Sequence, residues 1–200
     1  EDMFAPERRI SSDPGGVWTR VFGEPWEPLM IKDVKGYKFV LCQELEYPGK
    51  GAYADFLERH RADLEGTKPF FYTQHYHPRG TTCAPWTWGQ DSGHSTKALS
   101  KFPNAVAFSG HSHTSLLDEK TIWQGAFTAV GTATLQNVGP SGIVSGVEAG
   151  YENYATPGSK KGPLDALKVM SPINRFESKQ GQLVRVYSDR IVFSRRDFFN

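Results

Sequence analysis

The chain has 200 residues and a formal net charge of +1, with 23 Lys and Arg against 22 Asp and Glu. Such a balance gives no electrostatic reason to expect binding to nucleic acid or to an anionic membrane surface. No segment approaches the roughly 20 apolar residues of a membrane-spanning helix. The 2 cysteines are too few for a disulfide framework. The length suggests a single domain, or part of a larger one.

Residues 1–36 are predicted to be an irregular lead-in. From residue 1 to 30 neither helical nor alternating periodicity is visible, and glycines and prolines are frequent. The lead-in contains three large apolar side chains that we expect to pack against the rest of the molecule, those of Trp18, Phe22 and Trp26. Because a structureless stretch of this length is unusual inside a compact domain, it suggests a piece of something larger.

The following segments alternate between strand and helix patterns. Apolar runs predict strands at Tyr37–Leu45, Phe70–Thr73 and Val106–Phe108. Helices are predicted between these strands, at Ala52–Glu65 and Ser92–Phe102, from the spacing of their apolar residues. This order implies a largely parallel sheet with right-handed crossovers, and therefore an α/β fold.

Two hairpins are predicted in the second half of the chain. The first joins Thr121–Gln124 to Ala126–Val130, and the second joins Gln182–Tyr187 to Arg190–Arg195. Between them, residues 139–163 hold many glycines and prolines and are predicted to form a loop.

Histidines follow two of the predicted strands. His75 and His77 come after the second strand, and His111 and His113 come after the third, directly behind Gly110. Residues two apart on an extended segment point to the same side. In parallel sheets, ligands gather beyond the carboxyl ends of the strands. Because neutral imidazoles are common metal ligands, we expect His111, His113 and one histidine of the first pair to converge in a metal site.

This arrangement resembles the last motifs of the calcineurin-like metallophosphoesterases. Gly110-His111-Ser112-His113 after an apolar strand is similar to the Gly-His-x-His motif of that family. The apolar strand into His75, followed by Pro78, is similar to the preceding single-histidine motif. The resemblance spans residues 37–135 and extends to the closing hairpin. It implies a four-layer α/β/β/α sandwich, with two β-sheets face to face and helices outside.

The resemblance also implies an activity, the hydrolysis of a phosphomonoester or phosphodiester at a centre of two divalent metal ions (manganese, zinc or iron). The resemblance implies that His75 and His111 bind one metal ion and that His113 binds the other. His77 is the alternative to His75, because a proline follows it directly where the family has His-x-Pro. His77 and Arg79 are also interpreted as contacts for a small-molecule phosphoester substrate.

Three earlier motifs of the family are missing from this sequence: Asp-x-His, Gly-Asp, and Gly-Asn-His followed by an acidic residue. We therefore interpret residues 1–200 as the C-terminal portion of one such domain, with a motif-bearing core at 37–135 and a loop and closing hairpin at 136–200. The bridging carboxylate and the catalytic histidine would come from a missing N-terminal portion, so no catalytic residue is assigned. The alternative is a family member that has lost its acidic ligands.

Two other classes of protein stay open. In the first, the histidines hold a single structural zinc with Cys83 as a further ligand, because closed zinc sites take four His or Cys ligands. The second is a carbohydrate- or protein-binding module, which only the exposed aromatic residues suggest. Three aromatic residues near the first histidine pair could line a substrate pocket, although a packing or surface role explains each of them singly. They are Tyr76, which lies between the two histidines, and Trp86 and Trp88, which follow them.

Overall fold

A computed structural model of the chain describes residues 14–42, 52–82, 90–116, 118–135 and 179–198. The helices are α1 (Pro14–Phe22), α2 (Ala52–Arg59), α3 (Arg61–Leu64) and α4 (His94–Leu99). The strands are β1 (Leu29–Val34), β2 (Tyr37–Cys42), β3 (Phe70–Thr73), β4 (Ala105–Ser109), β5 (Ile122–Gln124), β6 (Thr128–Gly131), β7 (Gln180–Val186) and β8 (Ile191–Asp197). The fold is therefore mixed α/β, as predicted.

Six of the strands form one sheet in the order β1-β2-β3-β4-β6-β5. The parallel pairing of β2, β3 and β4 confirms the parallel core that the sequence predicts, and β6 extends it by pairing parallel to β4. The edge strands β1 and β5 are antiparallel to their neighbours. Since both faces of the central strands are covered, β3 and β4 have near-continuous apolar sequences.

Helices cover one face of the sheet, and the β7–β8 hairpin covers part of the other. On the helical face, Phe70 and Phe102 make an edge-to-face contact with ring centroids 5.7 Å apart. On the opposite face, Phe71 and Val106 pack with Phe193 of the hairpin. A four-layer sandwich is not confirmed by the part of the chain that the structure describes.

The lead-in is more regular than predicted, and the prediction of irregular structure is wrong for two segments. Residues 14–22 form α1, and residues 29–34 form β1, which pairs with β2 along its whole length. The turn between β1 and β2 is Lys35-Gly36, and both residues have positive φ, 53° and 77°. Two such residues between apolar runs favour a tight hairpin turn.

The other elements are confirmed with shifted ends. The predicted helix at 52–65 is interrupted at His60, which separates α2 from α3. The predicted helix at 92–102 is confined to His94–Leu99, and both hairpins are present as β5–β6 and β7–β8. The end of the first predicted strand, residues 43–45, and the loop at 139–163 lie outside the described residues.

A matched pair of leucines tests the position of the core. Leu99 in α4 is 0% exposed, whereas Leu135 is 63% exposed. We expect Leu99→Ala to lower the free energy of unfolding by about 2–5 kcal/mol, because it deletes buried contacts and leaves a cavity. Leu135→Ala should change it by less than about 0.5 kcal/mol. Urea denaturation followed by tryptophan fluorescence measures both, and equal losses would contradict this assignment of the core.

Candidate functional site

Strands β3 and β4 deliver their histidines to the same edge of the sheet. Their pairing continues beyond the strands, since the Gln74 N–H donates to the Phe108 carbonyl at 3.1 Å and the Gly110 N–H donates to the His75 carbonyl at 3.0 Å. As a result, Nε2 of His75 lies 2.8 Å from Nδ1 of His111. The predicted meeting of one histidine from each pair is confirmed for His75 and His111, and a metal site at this place stays a prediction. We call this region, with His75, His111 and His113, the histidine edge.

The loop after β4 holds two histidines in an unusual backbone conformation. His111 and His113 have φ values of 60° and 56°, in the left-handed region. A side chain there costs about 1–2 kcal/mol, and such residues cluster at functional sites. His111 is half-buried, whereas His113 is exposed. His113 is near enough to His75 and His111 for its charge to lower the pKa of both.

Two imidazoles of the histidine edge, those of His75 and His111, have a lowered pKa. Burial, and then the charges of His75 and His113, lower the pKa of His111 to about 4. Partial burial, and then the charge of His113, lowers the pKa of His75. A neutral imidazole keeps one nitrogen lone pair. At pH 7, therefore, both rings are in the state that binds a metal ion.

Nε2 of His75 and Nδ1 of His111 are within hydrogen-bonding distance of each other, at 2.8 Å. Two imidazole nitrogens each about 2.0–2.1 Å from an ion in a tetrahedral site would be about 3.3 Å apart, so a shared cation would need the two rings to separate slightly. Within the described ranges, no group of three or more His, Cys, Asp or Glu is arranged to hold a metal ion. By themselves, the described residues therefore do not form a complete metal site.

His77 lies beneath the histidine edge and is only 1% exposed. Its Nδ1 is 2.7 Å from Oγ of Ser109 and 3.1 Å from Oγ1 of Thr82, and its Nε2 is 2.6 Å from Oγ of Ser112. Burial, with the charges of two neighbouring histidines, lowers the pKa of His77 to about 4. Of the two alternatives after β3, it is His75 that the structure brings against His111.

Tyr76 packs against the histidine edge. Its ring centroid lies 4.5 Å from that of His111 and 5.3 Å from that of His75. This contact restricts the rotation of both imidazoles. Cys83, Trp86 and Trp88, the other residues singled out near the first histidine pair, lie outside the described residues.

Arg79 is exposed and close in sequence to the histidine edge. Its backbone N–H donates to Oδ1 of Asp91 at 3.1 Å, which anchors the main chain, and its side chain passes close to Gly93. The structure places Arg79 on the loop that follows His75, but gives it no contact with the imidazoles.

Asp91 is a supporting residue that sequence reasoning missed. It is 4% exposed, and its carboxylate also accepts hydrogen bonds from the Gly93 N–H at 2.7 Å, from Nε2 of Gln74 at 3.1 Å and from the Ser95 hydroxyl. These bonds tie the loop that carries His75 to the start of α4. The available signal was an Asp just before a predicted helix, a position where its side chain commonly binds backbone N–H groups.

No known protein-family profile matches the chain, and a comparison with curated proteins finds no relative. None of the helices in the described ranges combines the length and apolar character needed to cross a membrane. The assignment of a function therefore depends on the chemistry of the histidine edge and on the motifs around it.

Proton uptake by His111 tests the electrostatics of this site. In the metal-free protein we expect the ring to become protonated only near pH 4, below the ordinary value of 6.5, because burial and neighbouring imidazoles disfavour its charged form. His75→Asn should raise the pKa of His111, since it removes one of those neighbours. The ring signals of His111, followed by NMR against pH, measure both. Midpoints at 6.5 in both proteins would contradict the described packing.

Proposed function

We propose that this chain carries the histidine ligands of a binuclear metal centre that hydrolyses a phosphomonoester or phosphodiester. The observation that carries the proposal is the His75–His111 pair, with ring nitrogens 2.8 Å apart at the carboxyl ends of adjacent parallel strands. The resemblance of Gly110-His111-Ser112-His113 and of the strand into His75 to calcineurin-like metallophosphoesterases supports the same chemistry. On this proposal, the complete fold is the four-layer sandwich of that family.

His75 and His111 would hold one divalent ion, and His113 would hold the second. Manganese, zinc and iron all accept imidazole ligands. When bound, such ions supply Lewis acidity and neutralise charge that develops on phosphoryl oxygens. We leave His77 out of the ligand set and of the substrate contacts, because its ring is 1% exposed and both nitrogens already have hydroxyl partners.

Arg79 and Tyr76 are the residues of this chain proposed to face the substrate. The exposed guanidinium of Arg79 would pair with phosphate oxygens, for which its planar set of N–H donors is suited. The anchoring of its backbone to Asp91 would limit the motion of the loop. Tyr76 packs against the imidazoles of His75 and His111 and would contact one side of the bound substrate.

The proposed centre needs acidic ligands in addition to these histidines. Three neutral imidazoles leave the charge of two dications uncompensated, and the described residues offer no larger ligand group. We propose that a bridging carboxylate and the catalytic histidine come from an N-terminal portion of the same domain, joined to this chain or supplied as a partner chain.

An apolar cavity favours the packing of further chain against this one. It has a volume of about 260 Å³ and lies between the sheet and the β7–β8 hairpin. Its lining includes Tyr37, Phe39, Phe71 and Phe108 of the sheet and Val184 and Val186 of the hairpin. Apolar surface of this kind is stabilised when further side chains cover it.

Removal of one ligand tests the proposal in the intact enzyme. We expect His111→Ala to abolish most hydrolysis of a general phosphodiester and to lower the bound metal, because a lost ligand removes charge stabilisation worth several kcal/mol. The fold should change little, since His111 lies at an edge of the sheet. Hydrolysis rates and metal content measure the effect.

His60→Ala is the control for that experiment. His60 lies between α2 and α3, where its ring contacts Phe56 at a centroid distance of 4.6 Å, away from the histidine edge. This variant should keep full activity and metal content. Equal activity of the His111→Ala and unmodified enzymes at saturating metal would refute the assignment. A single bound ion with four protein ligands and no activity would indicate the structural-zinc alternative.

A second prediction concerns the chain by itself. We expect this chain of 200 residues not to hydrolyse phosphodiesters at a useful rate when it is purified alone and supplied with manganese or zinc. Without a bridging carboxylate the second ion should bind weakly, because nothing offsets the repulsion between two dications. Activity of this chain that disappears in its His111→Ala version would show that the site is complete without further ligands, and the two-part proposal would fail.

A further inference from the structure

Among residues 110–113, at the start of the loop after β4, the one buried side chain belongs to Ser112. Its Oγ lies 2.6 Å from Nε2 of His77 and 3.0 Å from Oγ1 of Thr114. Ser112 is 7% exposed and His77 is 1% exposed, so water has little access to the bond between them. A buried polar contact of this kind is costly to break, because each partner would lose its hydrogen bond without gaining one to water.

His77 is in turn fixed from its other side. Its Nδ1 lies within hydrogen-bonding distance of Ser109 and Thr82, and its carbonyl accepts a bond from the Asp91 N–H at 2.9 Å. A neutral imidazole has one donor and one acceptor nitrogen, and hydroxyl groups serve in either role. The ring is therefore held in one orientation and connects the end of β4 with the loop beyond it.

The conformation of that loop needs such support. His111 and His113 both occupy the left-handed region, which persists for residues with side chains only where the surroundings enforce it. Ser112 stands between these two residues, and its backbone N–H donates to the Gly110 carbonyl at 2.8 Å. Its buried side chain anchors the loop directly beside both strained residues.

We propose that His77 is a positioning residue of the metal site, which acts through Ser112 to hold His111 and His113 in the conformation that presents them at the histidine edge. The inference rests on the proposed function, because it concerns the same ligands. His77 itself does not contact the metal. Loss of a residue that orients a metal ligand typically weakens metal binding by about 10- to 100-fold.

The test is the binding of Co²⁺ to the full chain, with the visible absorption of bound cobalt as a report on ligand geometry. Ser112→Ala deletes the hydroxyl that His77 holds, but no imidazole. Thr82→Val is the matched control, because it deletes a hydroxyl from the other nitrogen of the same ring and keeps the shape of the side chain. Melting temperatures report the loss of stability in each variant.

We expect Ser112→Ala to weaken Co²⁺ binding by about 10- to 100-fold and to change the cobalt spectrum. Thr82→Val should lower the melting temperature by a similar amount but leave the affinity and the spectrum close to those of the unmodified chain. Ser112→Thr, which restores a hydroxyl, should recover most of the affinity. His77→Phe should reproduce the effect of Ser112→Ala, and the two together should be no worse than either one, because they break the same bond.

Two outcomes separate this inference from the proposed function. If Ser112→Ala and Thr82→Val bind Co²⁺ equally well and with the same spectrum, His77 has only a structural role and the inference is overturned, while the metal site stands. If His111→Ala binds Co²⁺ as tightly as the unmodified chain, or if the unmodified chain binds none, the metal site fails and the inference fails with it. Should His77→Phe not fold, the comparison of Ser112→Ala with Thr82→Val decides by itself.

Discussion

The parallel pairing of β3 with β4 is the interaction on which the candidate site depends. The hydrogen bonds of this pair continue past the ends of the strands, through Gln74 to Phe108 and through Gly110 to His75. Two segments more than thirty residues apart are thereby held at the same level, and the rings of His75 and His111 meet. The central position of both strands in the sheet makes this geometry a property of the core, whereas a site built on loops alone would be less precisely held.

The histidine edge combines two unfavourable features that its surroundings offset. Imidazoles are gathered where partial burial and mutual repulsion disfavour their protonation, which keeps His75 and His111 neutral at pH 7. The loop also holds His111 and His113 at positive φ. Buried hydroxyls and the carboxylate of Asp91 hold this arrangement from below. On the proposed function, neutral imidazoles such as these would bind a cation without first losing a proton.

On the proposed function, the same features define what this chain would supply to the metal centre and what it would not. It offers imidazoles, a tyrosine ring and an exposed guanidinium at one end of the sheet, all of which are neutral or positive at pH 7. Two metal ions need negative charge between them, and in this proposal that charge arrives with the chain that covers the apolar cavity beside β7 and β8. Catalysis and the burial of apolar surface would then depend on the same association.

Much of the fold and the outline of the site were predictable from the sequence, because they depend on local patterns. The apolar run at Phe70–Thr73 is a strand with the predicted ends, and the parallel order of the central strands follows from the alternation of strands and helices. Once that order is known, the convergence of the histidines follows, since parallel strands end at the same edge. Helix α1 and strand β1 were missed because their patterns are short and lie among glycines and prolines.

Which of His75 and His77 lies against His111 was decided only by the tertiary structure. The two residues are two apart, so periodicity cannot distinguish them. His77 is covered because the hydroxyls of Ser109 and Ser112, distant in sequence, close over its two nitrogens. His75 remains at the surface and reaches His111. Burial of a particular side chain depends on what the rest of the fold places above it, and no local sequence pattern contains that information.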